Sequence, residues 1–212
     1  MTISYAITVC NEEDEIITLI EFLLQRKRED DEICVLLDVP KATKHIQESL
    51  WNYNTNKKIV LRESAFTGHF ADWKNELTNM CSGDYIFQID ADELPDSYLV
   101  ESLFHILTTN KGVDVFWVPR INTVRGITSD HIKQWNWNVD YRERVNFPDY
   151  QCRIFKNVKR IRWKNKVHEV LTGHQTEAKL PVNDEYCLYH YKTIERQERQ
   201  NQLYDSYQND QS

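Results

Sequence analysis

The sequence predicts an α/β protein with a central, mostly parallel mixed sheet flanked by helices, and three observations carry that prediction. Apolar, β-prone runs alternate with helical patterns from residue 3 to residue 61. A further apolar run, Tyr85 to Ile89, delivers the carboxylates Asp90, Asp92 and Glu93 at its end. The 212-residue chain is 41% hydrophobic, with six Trp, eleven Tyr and eight Phe, enough for one large core. A β-α-β-α-β alternation implies parallel strands joined by helical crossovers.

Ile3 to Val9 is the first strand, followed by a helical pattern through Ile16, Ile17, Leu19, Ile20, Leu23 and Leu24. Glu12, Glu13, Asp14 and Glu15 suit that helix's first turn, where the macrodipole is positive. Ile33 to Leu37 forms a second strand ending at Asp38, Lys41 to Trp51 a helix, and Lys58 to Leu61 a third strand. Ligands of such sheets bind beyond the carboxyl ends of the strands, which singles out Asn11, Glu12, Asp38 and Arg62. Each of the four serves equally well as a cap, a turn residue or a surface charge.

Phe70 to Cys81 reads as a helix closed by Ser82-Gly83, with Gly83 suited to the left-handed position after a helix end. The acidic strand follows, and Pro95 stops it. Alternation along an extended chain sends Asp90 and Asp92 to the same side, where they can face one divalent cation; a solvated acidic loop is the plainer explanation. Ser97 to Leu107 is an amphipathic helix, and Val113 to Val118 a strand ended by Pro119. Between Arg120 and Phe147 periodicity is lost. Trp135 and Trp137, with Arg120, Arg125, Arg142 and Arg144 around them, suggest a loop-rich wall for an acceptor or phosphate, although tryptophans are as often core. Pro148 to Phe155 and Ile161 to Trp163 read as an antiparallel hairpin around Lys156-Asn157. Tyr186 to Tyr191 is the last strand, with His190 at its end, before a polar helix from Ile194 to Tyr207 and five frayed residues.

A net charge of −7 argues against a general nucleic-acid binder. Five scattered cysteines without a C-x-x-C pair suggest reduced thiols, not a disulfide framework or a zinc site. No apolar run reaches the roughly 18 residues of a membrane span, and the chain opens on a strand, not a signal peptide, so a cytoplasmic protein is expected. The absence of G-x-G-x-x-G and Walker sequences argues against dinucleotide oxidoreductases and P-loop ATPases.

Ile7-Thr8-Val9-Cys10-Asn11-Glu12, Lys74-Asn75 and Asp90-Ala91-Asp92-Glu93 together resemble the nucleotide-sugar half of the family 2 glycosyltransferases with the GT-A fold. Pro148-Asp149-Tyr150-Gln151-Cys152-Arg153-Ile154-Phe155 and Val167-His168-Glu169 resemble the second half of the branch that includes the lipopolysaccharide-core β-glucosyltransferases. The resemblance implies a single GT-A domain over 1–212, with a nucleotide-sugar half at 1–95 and an acceptor half at 96–212. It implies transfer of a hexose, glucose-like, from a UDP-sugar to a glycan hydroxyl with inversion, and Mn2+ or Mg2+ as cofactor.

By the same resemblance Asn11, Glu12 and Asp38 hold the uridine, although Val39-Pro40-Lys41 replaces the family's second Asp and Gly-Ser turn. Lys74 assists at the pyrophosphate, Asp90 lies near the ribose, and Asp92 ligates the metal, with Asp90 beside it. His190 reaches the metal or phosphate, with His168 the weaker candidate. Asp149 is the leading candidate for the base that deprotonates the acceptor, and Glu169 the second. Two other functions compete: a sugar-1-phosphate nucleotidyltransferase, which would normally open with a Gly-rich loop, and a non-catalytic carbohydrate-binding module presenting its Trp and Tyr rings.

Overall fold

The computed structural model describes residues 1–209, and side chains through residue 202. In chain order the elements are β1 (Ile3–Val9), α1 (Glu13–Arg26), β2 (Glu32–Asp38), α2 (Lys44–Thr55), β3 (Val60–Ser64), α3 (Phe70–Met80), β4 (Tyr85–Asp90), β5 (Glu93–Pro95) and α4 (Ser97–Thr109). They continue as β6 (Val115–Arg125), α5 (Ser129–Gln134), β7 (Val145–Lys156), β8 (Arg162–Lys164), β9 (Val170–Thr172), β10 (Glu177–Lys179), β11 (Leu188–Thr193) and α6 (Ile194–Asn209). The main sheet runs β3-β2-β1-β4-β7-β6-β11-β5, with β10 also on β6. Strands β1 to β4 are parallel, β7 is antiparallel to both its neighbours, and β11 returns parallel to β6.

Both faces of the sheet are covered, which is why β1, β2 and β4 read as unbroken apolar runs. On one face Tyr5, Ile7, Val35 and Phe87 pack against Ile16, Leu19, Ile20 and Leu23 of α1 and Leu99, Leu103 and Leu107 of α4. On the other, Ala6, Cys34, Leu36 and Ile86 meet Ala71 and Leu77 of α3, with Trp163 and Leu171 beyond. Truncating one of these buried leucines to Ala would cost about 2–5 kcal/mol.

Four expectations change. Gly83 does not take a left-handed conformation: α3 is capped by Cys81, and the glycines at positive φ are Gly68, Gly126 and Gly173. Gly83 is needed for close approach instead, because a Cβ there would stand 2.7 Å from both the backbone nitrogen and Oγ of Ser4. Pro119 does not end its strand; β6 continues to Arg125. On one edge of β6, β10 pairs with Val115–Trp117 and β11 with Arg120–Arg125. Pro119 falls in the gap between them, where its missing N–H costs no ladder bond.

The hairpin of Pro148–Phe155 with Ile161–Trp163 does not form. β7 lies between β4 and β6 in the main sheet, and β8 pairs with β9. Asn157 Nδ2 donates to the carbonyls of Cys81 and Gly83, both at 3.0 Å, and so fastens the turn after β7 to the α3–β4 link. The stretch between Arg120 and Phe147 is also more ordered than expected, holding the end of β6, α5 and the start of β7. Trp135 and Trp137 pack there on Val124, Val145 and Ile194. The expected helix from Ile194 is present as α6, whereas the frayed end expected at 208–212 lies outside the described residues from 210 onward. No helix among the described residues is long and apolar enough to cross a membrane.

Candidate functional site

The carboxyl ends of β1, β2 and β4 open on two cavities of about 600 and 420 Å³, which share Lys74, Asp90, Asp92, Glu169 and Gln200. The position is the one an open parallel sheet offers a ligand, and the volumes are those of small-molecule sites.

The larger cavity brings together Asn11, Glu12 and Asp38, as the strand ends predict. Glu12 turns back on its own chain: Oε2 accepts the N–H groups of Cys10 at 2.9 Å and Asn11 at 3.1 Å and shapes the β1–α1 turn. Burial raises its carboxyl, and the Cys10 N–H partly offsets that. Asp38 is 3% exposed. Its Oδ1 accepts the Phe66 N–H at 3.0 Å, and its Oδ2 lies 3.9 Å from the Lys41 ammonium. Phe66 also meets Phe70 at 4.8 Å and Trp73 at 5.8 Å between ring centroids, giving the cavity an aromatic wall. Sequence patterning gave no sign of this wall. Arg62 is not part of it; it is exposed on the edge strand β3 and lines neither cavity.

Asp90 ends β4, and Ala91-Asp92 already turn away, so strand alternation is not what aligns the two carboxylates. Both nevertheless line both cavities. The turn is held by Glu93, whose Oε2 accepts the Asp90 N–H at 3.1 Å. Glu93 Oε1 also receives Arg120 at 2.8 Å and Arg153 at 2.6 Å. Arg153 reaches on to Asp90 at 2.5 Å, and Arg120 to Asp149 at 2.7 Å. Three carboxylates and two guanidiniums thus form one ladder, of which Asp90, Arg120 and Arg153 line the smaller cavity. Burial by itself would raise the Asp90 carboxyl; Arg153, Lys74 and Arg120 outweigh it and hold the group well below the usual range.

Asp149 lies within β7 opposite Arg120, on the part of the strand that runs past the carboxyl end of β4. Its Oδ2 accepts from Arg120 Nε and Nη2 and from Asn122 Nδ2, and its Oδ1 from Gln151 Nε2 at 2.7 Å. Burial opposes ionisation, but Arg120 and Asn122 lead the contacts that keep the carboxyl low. Glu169 is held differently. The loop between β8 and β9 carries Asn165 and His168 at positive φ and swings Glu169 to within 2.5 Å of Lys74 Nζ. Asn75 grips the adjoining strand through both backbone groups of Trp163, at 2.9 and 3.0 Å, and Lys74 Nζ sits 4.7 Å over the Trp163 ring. Lys74-Asn75 is therefore the clasp between α3 and the β8–β9 hairpin. His168 lines the smaller cavity.

His190 stands between two neighbours. Asn122 spends its amide N–H on Asp149 at 2.8 Å, so its Oδ1 accepts and His190 Nδ1 donates, at 2.8 Å. His190 Nε2 then faces Asp92 Oδ2 at 3.1 Å. A lone pair facing a carboxylate is stable only with a cation between them, either a proton or a metal ion. Burial alone would raise the Asp92 carboxyl, but the His190 hydrogen bond and charge bring it down to about 2. Among the described residues no three His, Cys, Asp or Glu side chains gather as a complete metal centre. Asp92 and His190 do fit a mostly hydrated Mn2+ or Mg2+ that takes its remaining ligands from phosphate oxygens and water.

Asn122, Gln151, Arg153 and Lys192, missed in the sequence, and Arg120, expected only as part of an acceptor or phosphate wall, share a signal that was available. They and His190 alternate at period two along β6, β7 and β11, and all six line the smaller cavity.

Solved structures share this architecture. TarS from S. aureus, residues 1–349, superposes with a TM-score of 0.61 at 14% identity, over 90% of this chain and 60% of that one. TarS 1–349 in complex with UDP gives 0.62 at 15% identity, over 90% and 60%. The complex with UDP-GlcNAc gives 0.62 at 15% identity, over 91% and 59%. The chain thus spans about 60% of the length of these neighbours, and its fold is that of the GT-A glycosyltransferases. The family profile for glycosyl transferase family 2 matches residues 4–171. The chain belongs to that family. No curated protein matches the sequence.

Proposed function

We propose that this protein moves a hexose, glucose-like, from a UDP-sugar to a hydroxyl of a glycan or glycoconjugate, with inversion and with Mn2+ or Mg2+ as cofactor. The observation that carries the reading is the meeting of two cavities at Lys74, Asp90, Asp92 and Glu169. The larger one, with Asn11, Asp38 and its aromatic wall, suits the nucleoside; the smaller one suits the transferred sugar and the acceptor. The UDP and UDP-GlcNAc bound in the TarS complexes support a uridine donor. Residues 1–212 act as one domain, 1–95 supplying most donor contacts and 96–212 most acceptor contacts. With its five cysteines as thiols, a cytoplasmic setting suits the protein.

Glu169 is the better placed base. It lines both cavities, whereas the Asp149 carboxylate is engaged by Arg120, Asn122 and Gln151 and lines neither. Glu169 takes the proton of the acceptor hydroxyl while that oxygen bonds to C1 of the sugar and the bond from C1 to the diphosphate breaks. Lys74, shared by both cavities, offsets the charge that develops on the leaving diphosphate. Asp92 and His190 would hold the metal ion, which when bound neutralises further charge on that leaving group. Asp149 fixes the Asn122 amide and, through it, the hydrogen on His190 Nδ1.

Screening UDP- and GDP-sugars, UDP-glucose and UDP-GlcNAc among them, for metal-dependent release of the nucleotide tests the reading. Release from UDP-sugars is expected; release from GDP-sugars alone would overturn the uridine assignment.

A further inference from the structure

We propose that the acceptor presents an uncharged sugar ring and that Trp137 is the platform on which this ring stacks; this rests on the glycosyl-transfer reading above. The wall expected from the tryptophans and arginines between Arg120 and Phe147 divides in the structure. Arg125, Arg142 and Arg144 line neither cavity, and Arg142 and Arg144 pair with Asp184 instead. Trp137 lines the smaller cavity, half-buried, beside Val124 and Val145.

Local structure fixes that indole. α5 ends in a Schellman motif: the Asn136 N–H donates to the Lys133 carbonyl at 3.3 Å and the Trp137 N–H to the Ile132 carbonyl at 3.0 Å, with Asn136 at a φ of 52°. The turn brings Trp137 back to Trp135, with 4.7 Å between ring centroids, and Trp135 in turn stacks on His131 at 5.1 Å. His131 is itself held by the capping box it forms with Thr128. Downstream, the Asn138 N–H donates to Asn146 Oδ1 at 2.8 Å and the Asn146 N–H to the Asn138 carbonyl at 2.7 Å, which ties the segment to β7. A ring already held in place loses little freedom when a ligand stacks on it.

The charges of the cavity favour a neutral ligand. Lys74 holds Glu169 at 2.5 Å, Arg120 holds Asp149 at 2.7 Å and Glu93 at 2.8 Å, and Arg153 holds Asp90 at 2.5 Å and Glu93 at 2.6 Å. Lys192 donates to Gln200 and lies in the field of Asp92. An anionic acceptor would have to break one of these buried pairs to gain a cation of its own, which leaves a carboxylate stranded. The polar groups left to a ligand are carboxamides. Asn146 commits its Oδ1 to Asn138, Gln151 its Nε2 to Asp149, and Gln197 its Nε2 to Asn201. One amide donor and two carbonyl acceptors therefore remain on the same cavity. Carboxamides both donate and accept, as sugar hydroxyls do, and an indole beside two valines matches the C–H face of a pyranose.

A glycan array that carries neutral oligosaccharides of glucose, galactose and N-acetylglucosamine beside phosphorylated, uronic-acid and sialylated ones tests the proposal, with UDP and Mn2+ present. Wild type is expected to bind neutral glycans most strongly. W137A should weaken the best of them tenfold or more and W137F by less, while calorimetric binding of UDP in Mn2+ stays within about twofold in both. Should W137A fold poorly, N146D, which keeps the oxygen used by Asn138 but replaces the amide donor with a negative charge, should lose about threefold or more for the same glycan. With UDP binding intact, three results would overturn the proposal: strongest binding to anionic glycans, binding to no glycan on the array, or neutral-glycan binding unchanged in W137A or, where that variant does not fold, in N146D. Wild type that fails to bind UDP with Mn2+ would instead overturn the donor reading.

Discussion

Lys74 on α3 and Glu169 in the β8–β9 loop meet at 2.5 Å, and both side chains line both cavities. The pair marks the point where the two cavities meet, where the proposed reaction brings donor and acceptor together. Exchanging the carboxylate for an amide would remove the proposed base and keep the shape. E169Q should lower kcat by 10²-fold or more and leave UDP affinity within about threefold. Steady-state kinetics with a UDP binding measurement check this; near-normal turnover would move the base elsewhere.

Asp149 supports the site from beneath. D149N leaves Arg120 with one fewer anionic partner and loosens the Asn122 amide that orients His190. The expected loss of activity is about tenfold, smaller than that of E169Q, with a drop of about 1–3 kcal/mol in stability. Denaturant unfolding and kinetics separate the two effects. A loss equal to that of E169Q with stability intact would make Asp149 the base.

Asp92 links stability to pH. Its carboxyl is brought down to about 2 in the fold, below the value of about 3.9 in an unfolded chain. The folded state therefore binds that proton more weakly. The stabilisation is complete above about pH 4 and is lost as pH falls through 2. Metal-free wild type should lose on the order of 2 kcal/mol more than D92N over that interval. Acid unfolding followed by circular dichroism is the measurement, and parallel curves for the two proteins would contradict the assignment.

Gly83 gives a prediction that leaves the chemistry aside. Its backbone N–H donates to Ser4 Oγ at 2.8 Å, and any Cβ would press on Ser4. G83A should destabilise the protein by about 1–3 kcal/mol through the forced separation of β1 from the entry to β4. Urea unfolding checks the value, and UDP binding at low temperature should be retained.

Much of the sheet was legible because β1, β2 and β4 are buried on both faces, and unbroken apolar runs leave little choice of element. Asp90, Asp92, Asn11 and Asp38 followed from that, since a parallel sheet offers its ligand site at strand ends. β6 and β7 were harder. Pro119 reads as a stop unless it is known that β10 and β11 abut on the same edge and leave its nitrogen without a partner. The hairpin at Lys156-Asn157 looked right locally and lost to a longer-range pairing, because Ile154 and Phe155 bury completely against β4 and β6. Arg120 and Arg153 were hard to assign because their partners, Glu93 and Asp149, are distant in sequence. The period-two polar pattern along β7 shows only that one face of the strand is not ordinary core.

The central claim is that a UDP-sugar is cleaved where the two cavities meet. Release of UDP from UDP-glucose and UDP-GlcNAc, followed with Mn2+ present and then after its chelation, tests it most directly in wild type, E169Q and D92N. The account predicts metal-dependent UDP release by wild type and loss of it in both variants, with UDP still raising the melting temperature of E169Q in Mn2+. Release that persists in both variants, or a wild-type melting temperature unmoved by UDP and Mn2+, would contradict it.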